Sequence, residues 1–273
     1  VLDKQAGLTS HDEVNRLRRI FNTRKVGHSG TLDPKVTGVL VCGLGRGTKV
    51  LEYVLLSQKT YDAEMVFHRA IDKKLFEQTI QKFTGVISQL PPVKSGVKRE
   101  VREREIYGLI LLSFASDGRT ARIRCEVERG TYIRKLCHDM GESMGVGAHM
   151  GDLRRTQAGP YSLNNSRVVN TKDLQEIKKK SSRFIVGWWY LRKLASYIEP
   201  VERALGVLPQ VTIHNQTVRY LAGGSDLFVP GVLECEAEIQ HNQTVVVVDQ
   251  EKHAIMIGTT TMSAQEMKKN KQG

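Results

Sequence analysis

The sequence predicts an α+β protein in two parts. The larger is a mixed or antiparallel sheet flanked by helices, and the smaller is a C-terminal β-barrel. Three observations carry this reading. Ile106 to Phe114 and Arg119 to Val127 read as adjacent strands around Asp117-Gly118, a strong hairpin signal. Apolar stripes at helical spacing fall between such strands. After Pro209 the texture changes to short strands separated by polar turns.

The elements follow in chain order. The first residues read as the middle of a strand, and Val1 is not a methionine, so the chain is expected to continue upstream. Ser10 followed by Glu13 is a capping-box pattern that starts a helix. Val14, Leu17 and Phe21 form its apolar stripe, with Arg16, Arg18 and Arg19 turned away. Val39 to Leu44 is an apolar run of strand length, and Tyr61 to Phe67 should pair beside it. Leu75 to Phe83 reads as a short helix ended by Gly85. In the second hairpin strand Ala121, Ile123, Cys125 and Val127 face one way and Arg122, Arg124 and Glu126 the other. Ile133, Leu136, Cys137, Met140 and Met144 then trace a helix up to Gly145. Ser162 to Pro200 reads as helical, and Trp188 and Trp189 as packing residues within it. Val211 to Ile213, Leu233 to Ile239, Thr244 to Val248 and Ile255 to Thr260 are the barrel strands. The boundary falls near Leu205–Pro209, giving domains 1–205 and 206–273.

Composition narrows the function classes. A chain of 273 residues can bury one large core or two smaller ones. The longest apolar stretch, Ile110–Phe114, is far short of the about 20 residues a membrane span needs, so no membrane partner is expected. No secretory leader is visible. Cys42, Cys125, Cys137 and Cys235 form no C-x-x-C pair, and the first three fall in apolar runs, as buried thiols do in a reducing compartment. His138 and His149 have no usual zinc spacing, so no metal is expected. The net charge of +12 favours a polyanionic partner. Arg16, Arg18, Arg19, Arg24 and Lys25 form one basic cluster, and Lys94, Lys98, Arg99, Arg102 and Arg104 a second. Lys178 to Lys180 read as a solvated helix end.

Residues 27–34, Gly-His-Ser-Gly-Thr-Leu-Asp-Pro, are the most informative stretch. Glycines allow close backbone approach, and Pro34 biases Asp33 away from helical geometry. Taken locally, two readings stay open: a loop that presents a carboxylate to a ligand, or a turn whose Asp caps a backbone amide.

With Lys-Thr-Tyr at 59–61, Gly-Thr-Tyr-Ile-Arg at 130–134 and Leu-Arg-Arg at 153–155, the octet resembles the TruB family of pseudouridine synthases. The extended match at 27–38 is more similar to the dyskerin-type branch, the catalytic subunit of H/ACA guide-RNA particles. The resemblance runs from Leu2 to about Met267. Gly-Gly-Ser-Asp-Leu-Phe-Val-Pro-Gly-Val at 223–232 resembles the signature loop of PUA domains, small RNA-binding barrels.

The resemblance implies conversion of uridine to pseudouridine, which needs no redox cofactor and no energy source. It assigns the catalytic carboxylate, shielded from water, to Asp33 and its guanidinium partner to Arg134. It gives Tyr61 the stacking and proton-transfer role, Leu153 the apolar wall of the uracil pocket and His28 displacement of the target nucleotide. Lys4 and Tyr132 support the motif loops. Arg154 and Arg155 are placed to meet phosphates, with Lys35, Lys98 and Arg99 as further RNA contacts. In the barrel the RNA contacts are Gly223, Asp226, Pro230 and Gly231. The implied partners are a guide RNA, a substrate RNA and three small proteins: a zinc-ribbon-like subunit, a glycine/arginine-rich-type subunit and a kink-turn-binding protein. The lack of the long lysine-rich tails of the eukaryotic relatives leans toward an archaeal-like protein, expected to be cytoplasmic if archaeal and nucleolar if eukaryotic.

Two motifs depart from the family pattern. Lys4-Gln5-Ala6-Gly7 replaces Lys-Pro-x-Gly, which should loosen a turn, and Ser95-Gly96-Val97-Lys98 replaces Ser-Ala-Val-Lys. Two other functions remain open: a stand-alone synthase acting on the tRNA T-loop, and an inactive RNA-binding scaffold. The short Lys98 to Ile106 segment favours the guided branch over the first, and retention of Asp33, Tyr61 and Arg134 together weighs against the second.

Overall fold

The computed structural model describes residues 1–91, 98–181 and 187–269. Lys94 and the Ser95-Gly96-Val97 part of the Ser95-Gly96-Val97-Lys98 motif lie outside the described residues. The chain forms two compact units, Val1–Glu199 and Pro200–Gly273.

In the first unit the chain runs β1 (Leu2–Lys4), α1 (Ser10–Ile20), β2 (Val26–His28), β3 (Thr37–Leu40) and β4 (Cys42–Leu44). It continues through α2 (Leu51–Leu56), β5 (Lys59–Phe67), α3 (Lys73–Lys82), β6 (Gly85–Gln89), β7 (Arg102–Phe114) and β8 (Thr120–Val127). The remaining elements are α4 (Ile133–Ser143), β9 (Ala148–Ala158), β10 (Tyr161–Ser162), α5 (Thr171–Ser181) and α6 (Gly187–Ala195). Among the described residues the main sheet runs β1-β3-β9-β5-β8-β7-β6, with β10 beside β9 and β2-β4 as a separate pair. It is mixed: β3 pairs with β9 in parallel, while β5 pairs antiparallel with both β8 and β9.

Two strand expectations change. The run from Val39 to Leu44 divides at Val41, because its first half pairs with β1 and β9 and its second half turns to β2. Tyr61 to Phe67 does not pair beside it, since β9 inserts between β3 and β5. Pairing to a strand about a hundred residues downstream leaves no local trace in periodicity.

The start of α1 also differs. Its N-cap is Thr9, whose Oγ1 accepts from the Asp12 amide while Asp12 Oδ2 accepts from the Thr9 amide. This is a reciprocal box one residue earlier than Ser10 and Glu13 implied. Ser10 and Glu13 are instead buried, facing the Leu32 backbone and the Thr171 hydroxyl. Nor do Trp188 and Trp189 pack inside, being 72% and 56% exposed. The inward stripe of α6 is Gly187 and Leu194 with Tyr190, and the indoles lie against Arg192 and Lys193 at 5.6 and 5.4 Å.

Among the described residues of this unit, two hydrophobic clusters stand out. In one, α3 and α4 cover the inward face of the sheet, with Phe67 and Phe76 edge to face at 5.2 Å and Leu136 and Met140 fully buried. Each such side chain contributes about 1.5–3 kcal/mol on burial. In the other, α1 and α5 pack on β1 and on Leu32 and Val36. Burial pushes the Cys42 and Cys137 thiols up to about 12 and Cys125 well above its usual range, as inert thiols require.

The second unit contains α7 (Val201–Leu205), β11 (Gln210–Ile213), α8 (Val218–Ala222), β12 (Val232–Cys235), β13 (Thr244–Val248), β14 (Ala254–Thr259) and α9 (Ala264–Lys269). Its sheet runs β12-β11-β13-β14 around Val211, Ile213, Val245 and Val247. The α7 helix joins it through Glu202, whose carboxylate accepts from the Ala254 amide.

Candidate active site

Between β3 and the segment before it, the chain must turn a carboxylate outward while apolar residues on either side of it in the loop face the core. Leu32 and Val36 are buried in the α1 core, and Asp33 between them is exposed. Three devices fix the loop. Ser10 Oγ both donates to Leu32 O and accepts from its amide, at 3.1 and 2.8 Å. The Val36 amide closes a turn on Asp33 O, and the Gly7 amide donates to Pro34 O. From β1 the fully buried Lys4 ammonium donates to the carbonyls of Gln5, Asp33, Pro34 and Val36 at 2.8–3.2 Å. Burial lowers the Lys4 pKa, and the charges of Glu13 and Asp33 oppose that shift.

Gly38 makes the neighbouring strand pairing possible. A Cβ there would stand 2.1 Å from Arg155 O, and its φ of +103° is a conformation that side chains oppose.

Arg134 reaches Asp33 from the first turn of α4, its Nη2 at 2.5 Å from Asp33 Oδ2. The pair lies open, with side chains 60% and 55% exposed. The expected shielding of the carboxylate from water is therefore not supplied by the polypeptide alone. Gln89, buried at the end of β6, holds the start of α4: its Oε1 accepts from the Tyr132 amide and its Nε2 donates to Tyr132 O. Nothing in the sequence around Gln89 marks this role.

A cleft of about 760 Å³ opens beside the pair, within the usual range for a small-ligand site. Asp33, Tyr61, Tyr132, Arg134 and Leu153 line it. Tyr61 lies opposite Arg155 and Ala63 opposite Leu153 in the β5–β9 register, so Tyr61 and Leu153 share one face as diagonal neighbours. Arg102, Arg104 and Arg129 add positive charge to the wall, and Lys59 lies within it.

Other expected residues have other partners or other places. Arg155 does not face phosphates: it is 2% exposed and donates to Val39 O and Gly30 O at 2.7 and 3.2 Å. On β9 it falls on the same face as Leu153 and lines the base of the cleft, but its guanidinium is taken up by backbone carbonyls. Arg154, on the opposite face, pairs with Asp3 at 2.9 Å. His28 lies on β2 opposite Cys42 and is not part of the cleft wall. Burial, with the positive charge of Arg155, lowers its pKa, so the ring is neutral near pH 7. Lys35 is exposed beside Asp33. Lys98 and Arg99 are exposed outside the cleft wall, with Lys98 paired to Glu100. In the second unit Gly223 ends α8, Asp226 is exposed, and Pro230 and Gly231 form the turn into β12. Among the described residues no three His, Cys, Asp or Glu side chains gather as a metal would require, and no helix is long and apolar enough to cross a membrane.

Comparison with known proteins follows the same order along the chain. Residues 18–74 match the TruB family pseudouridylate synthase (N terminal domain), 134–206 the tRNA pseudouridylate synthase B C-terminal domain and 209–273 the PUA domain. A probable tRNA pseudouridine synthase B from Methanopyrus kandleri is 40% identical over 267 residues, covering 97% of this chain and 76% of the relative. Its namesake from Pyrococcus abyssi is 38% identical over 279 residues, covering 100% and 79%. Among solved structures, a chain of a Cbf5-Nop10-Gar1 complex superposes with a TM-score of 0.89 at 37% identity, over 100% of this chain and 80% of that one. A chain of an H/ACA RNP bound to a substrate RNA containing 2′-deoxyuridine gives 0.88 at 35%, with the same coverage.

Proposed function

The chain belongs to the TruB family of pseudouridylate synthases and is an isomerase of uridine in RNA, and from that premise we propose that it works as the catalytic subunit of an H/ACA-type particle. The observation that carries the guided reading is the whole-chain likeness to chains solved in an H/ACA RNP bound to substrate RNA and in an archaeal box H/ACA sRNP Nop10-Cbf5 complex. The implied partners are a guide RNA, a substrate RNA and small proteins such as the Nop10 and Gar1 of the Cbf5-Nop10-Gar1 complex.

The reaction breaks the N1–C1′ bond, turns the base and forms a C5–C1′ bond. The proton on C5 leaves, and N1 ends protonated. A uridine in folded RNA must be extruded before a side chain can reach its sugar. In this reading Tyr61 stacks on the extruded base and Leu153 walls its far edge, while Asp33 acts at the sugar or base carbon. Arg134 orients the Asp33 carboxylate through the ion pair between them. The RNA itself completes the shielding that the open rim lacks. Arg102, Arg104 and Arg129 meet flanking phosphates.

A second reading is a stand-alone tRNA enzyme, favoured by the names of the archaeal relatives. One assay separates them: pseudouridine formation on bare tRNA, and on a short target supplied with an H/ACA guide and the small partner proteins. Conversion of the guided target alone, lost in Asp33→Asn with RNA binding kept, is the expected result. Conversion of bare tRNA alone would replace the guided reading with the stand-alone one.

A further inference from the structure

The chemistry described so far leaves Lys59 without a role. It opens β5 and shares a strand face with Tyr61 two residues on. Its side chain is 5% exposed and forms part of the cleft wall. The ammonium donates to Val54 O, Leu55 O and Ser57 O at 3.0, 2.5 and 2.5 Å. Val54 O and Leu55 O lie in the last turn of α2, whose final carbonyls lack a backbone partner within the helix and carry its negative end, and Ser57 is its C-cap residue. Two cations face the ammonium, Arg155 from β9 and Arg129 from the loop after β8. With burial as the larger cause, they push the lysine down to about 8. A charge kept under those conditions, on two carbonyls of the last turn of a short helix and on that of its C-cap, fixes where that helix ends.

What the helix presents is Leu55. It is 46% exposed, lines the cleft, and its Cδ1 lies 3.4 Å from where a Cβ would stand on Gly30. Gly30 has no such atom and a φ of +116°, so the leucine closes over the backbone three residues before Asp33. A large apolar side chain half in water at the rim of a cationic cleft gains only when something covers it.

We propose that Lys59 is a positioning residue for the uridine isomerisation, holding Leu55 as an apolar ledge on which the target nucleotide packs beside Asp33. The proposal rests on reading the cleft as the uridine site.

The test is single-turnover conversion by the full chain with its RNA and protein partners, comparing Leu55→Ala, Lys59→Met and the double variant. Leu55 is exposed enough for its truncation to leave the fold intact, which keeps the test informative even if Lys59→Met folds poorly. Each single variant should slow conversion about tenfold or more, while RNA affinity stays within about twofold. The double variant should be no slower than Lys59→Met, because the two act as one unit. The rate of the unaltered enzyme should fall as pH rises through about 8, where the ammonium loses a donor, and Leu55→Ala should flatten that limb. A Leu55→Ala rate within about twofold of the unaltered enzyme, or losses that multiply independently, would overturn the ledge alone. Absence of conversion by the unaltered protein on any RNA would overturn the uridine-site reading and the ledge with it.

Discussion

Replacing Lys4 with methionine tests how the loop that carries Asp33 is held. The substitution keeps the length of the side chain and removes donors from four carbonyls. Two of those oxygens keep another partner, since Val36 N–H donates to Asp33 O and Gly7 N–H to Pro34 O. Gln5 is exposed, so its carbonyl can turn to water. Val36 O, the nearest acceptor at 2.8 Å in a buried bond, is stranded. A stranded buried carbonyl costs about 1–3 kcal/mol, and the weakened turn adds to it. Removing a buried ammonium returns part of its desolvation cost. The net loss should be about 2 kcal/mol, which in a unit the size of Val1–Glu199 lowers the melting temperature by about 4–8 °C. Calorimetry measures that shift, and single-turnover conversion below the transition measures the loop. A displacement of Asp33 by about 1 Å should slow conversion about a hundredfold. A variant that melts within a degree of the original and converts at the original rate would refute the clamp.

Three further outcomes are expected. Gly38→Ala forces a Cβ to within 2.1 Å of Arg155 O at a φ of +103°, so it should cost about 3 kcal/mol or more in urea titration. Tyr61→Phe keeps the stacking face and loses the phenol; bound RNA should be retained while conversion falls, and full activity would remove the proton-transfer role. Lys59 should also leave a mark on stability against pH. Its folded pKa of about 8 lies below the unfolded value of 10.5, so the unfolded chain binds more protons between those limits. The penalty for burying the ammonium is complete below about 8 and relieved as pH rises toward 10.5, so stability should climb in that window. Lys59→Met should climb less, as urea titrations at the two ends would show.

Much of the secondary structure was readable because it is written locally. The stripe Ile133, Leu136, Cys137, Met140 became the buried face of α4, and Ala121, Ile123, Cys125, Val127 the buried face of β8. The capping pattern of α1 was misplaced by one residue because Thr9 and Asp12 satisfy the same rule as Ser10 and Glu13. Spacing alone does not reveal which hydroxyl another loop will claim. Trp188 and Trp189 read as packing residues in the sequence, yet the helix face that turns inward is chosen by its neighbours. Arg155 was read with Arg154 as one phosphate-facing pair. Strand alternation sends adjacent side chains to opposite faces, and only the position of β9 in the sheet determined that the second one is buried.

The residues at 27–34 by themselves determined that a carboxylate stands on a loop, because Pro34 and the glycines restrict the backbone whatever surrounds them. Along with the other motifs they also pointed to the family. The tertiary structure decided what meets that carboxylate. It brought Arg134 to Asp33 across 101 positions and laid β9 between β3 and β5, so that Leu153 came beside Tyr61. It assigned Lys4, Ser10, Gln89 and Lys59 to hold backbone carbonyls and amides. The physical reason is that backbone groups look alike in every sequence. Which of them is left buried without a partner, and which side chain reaches it, is settled only when distant segments pack.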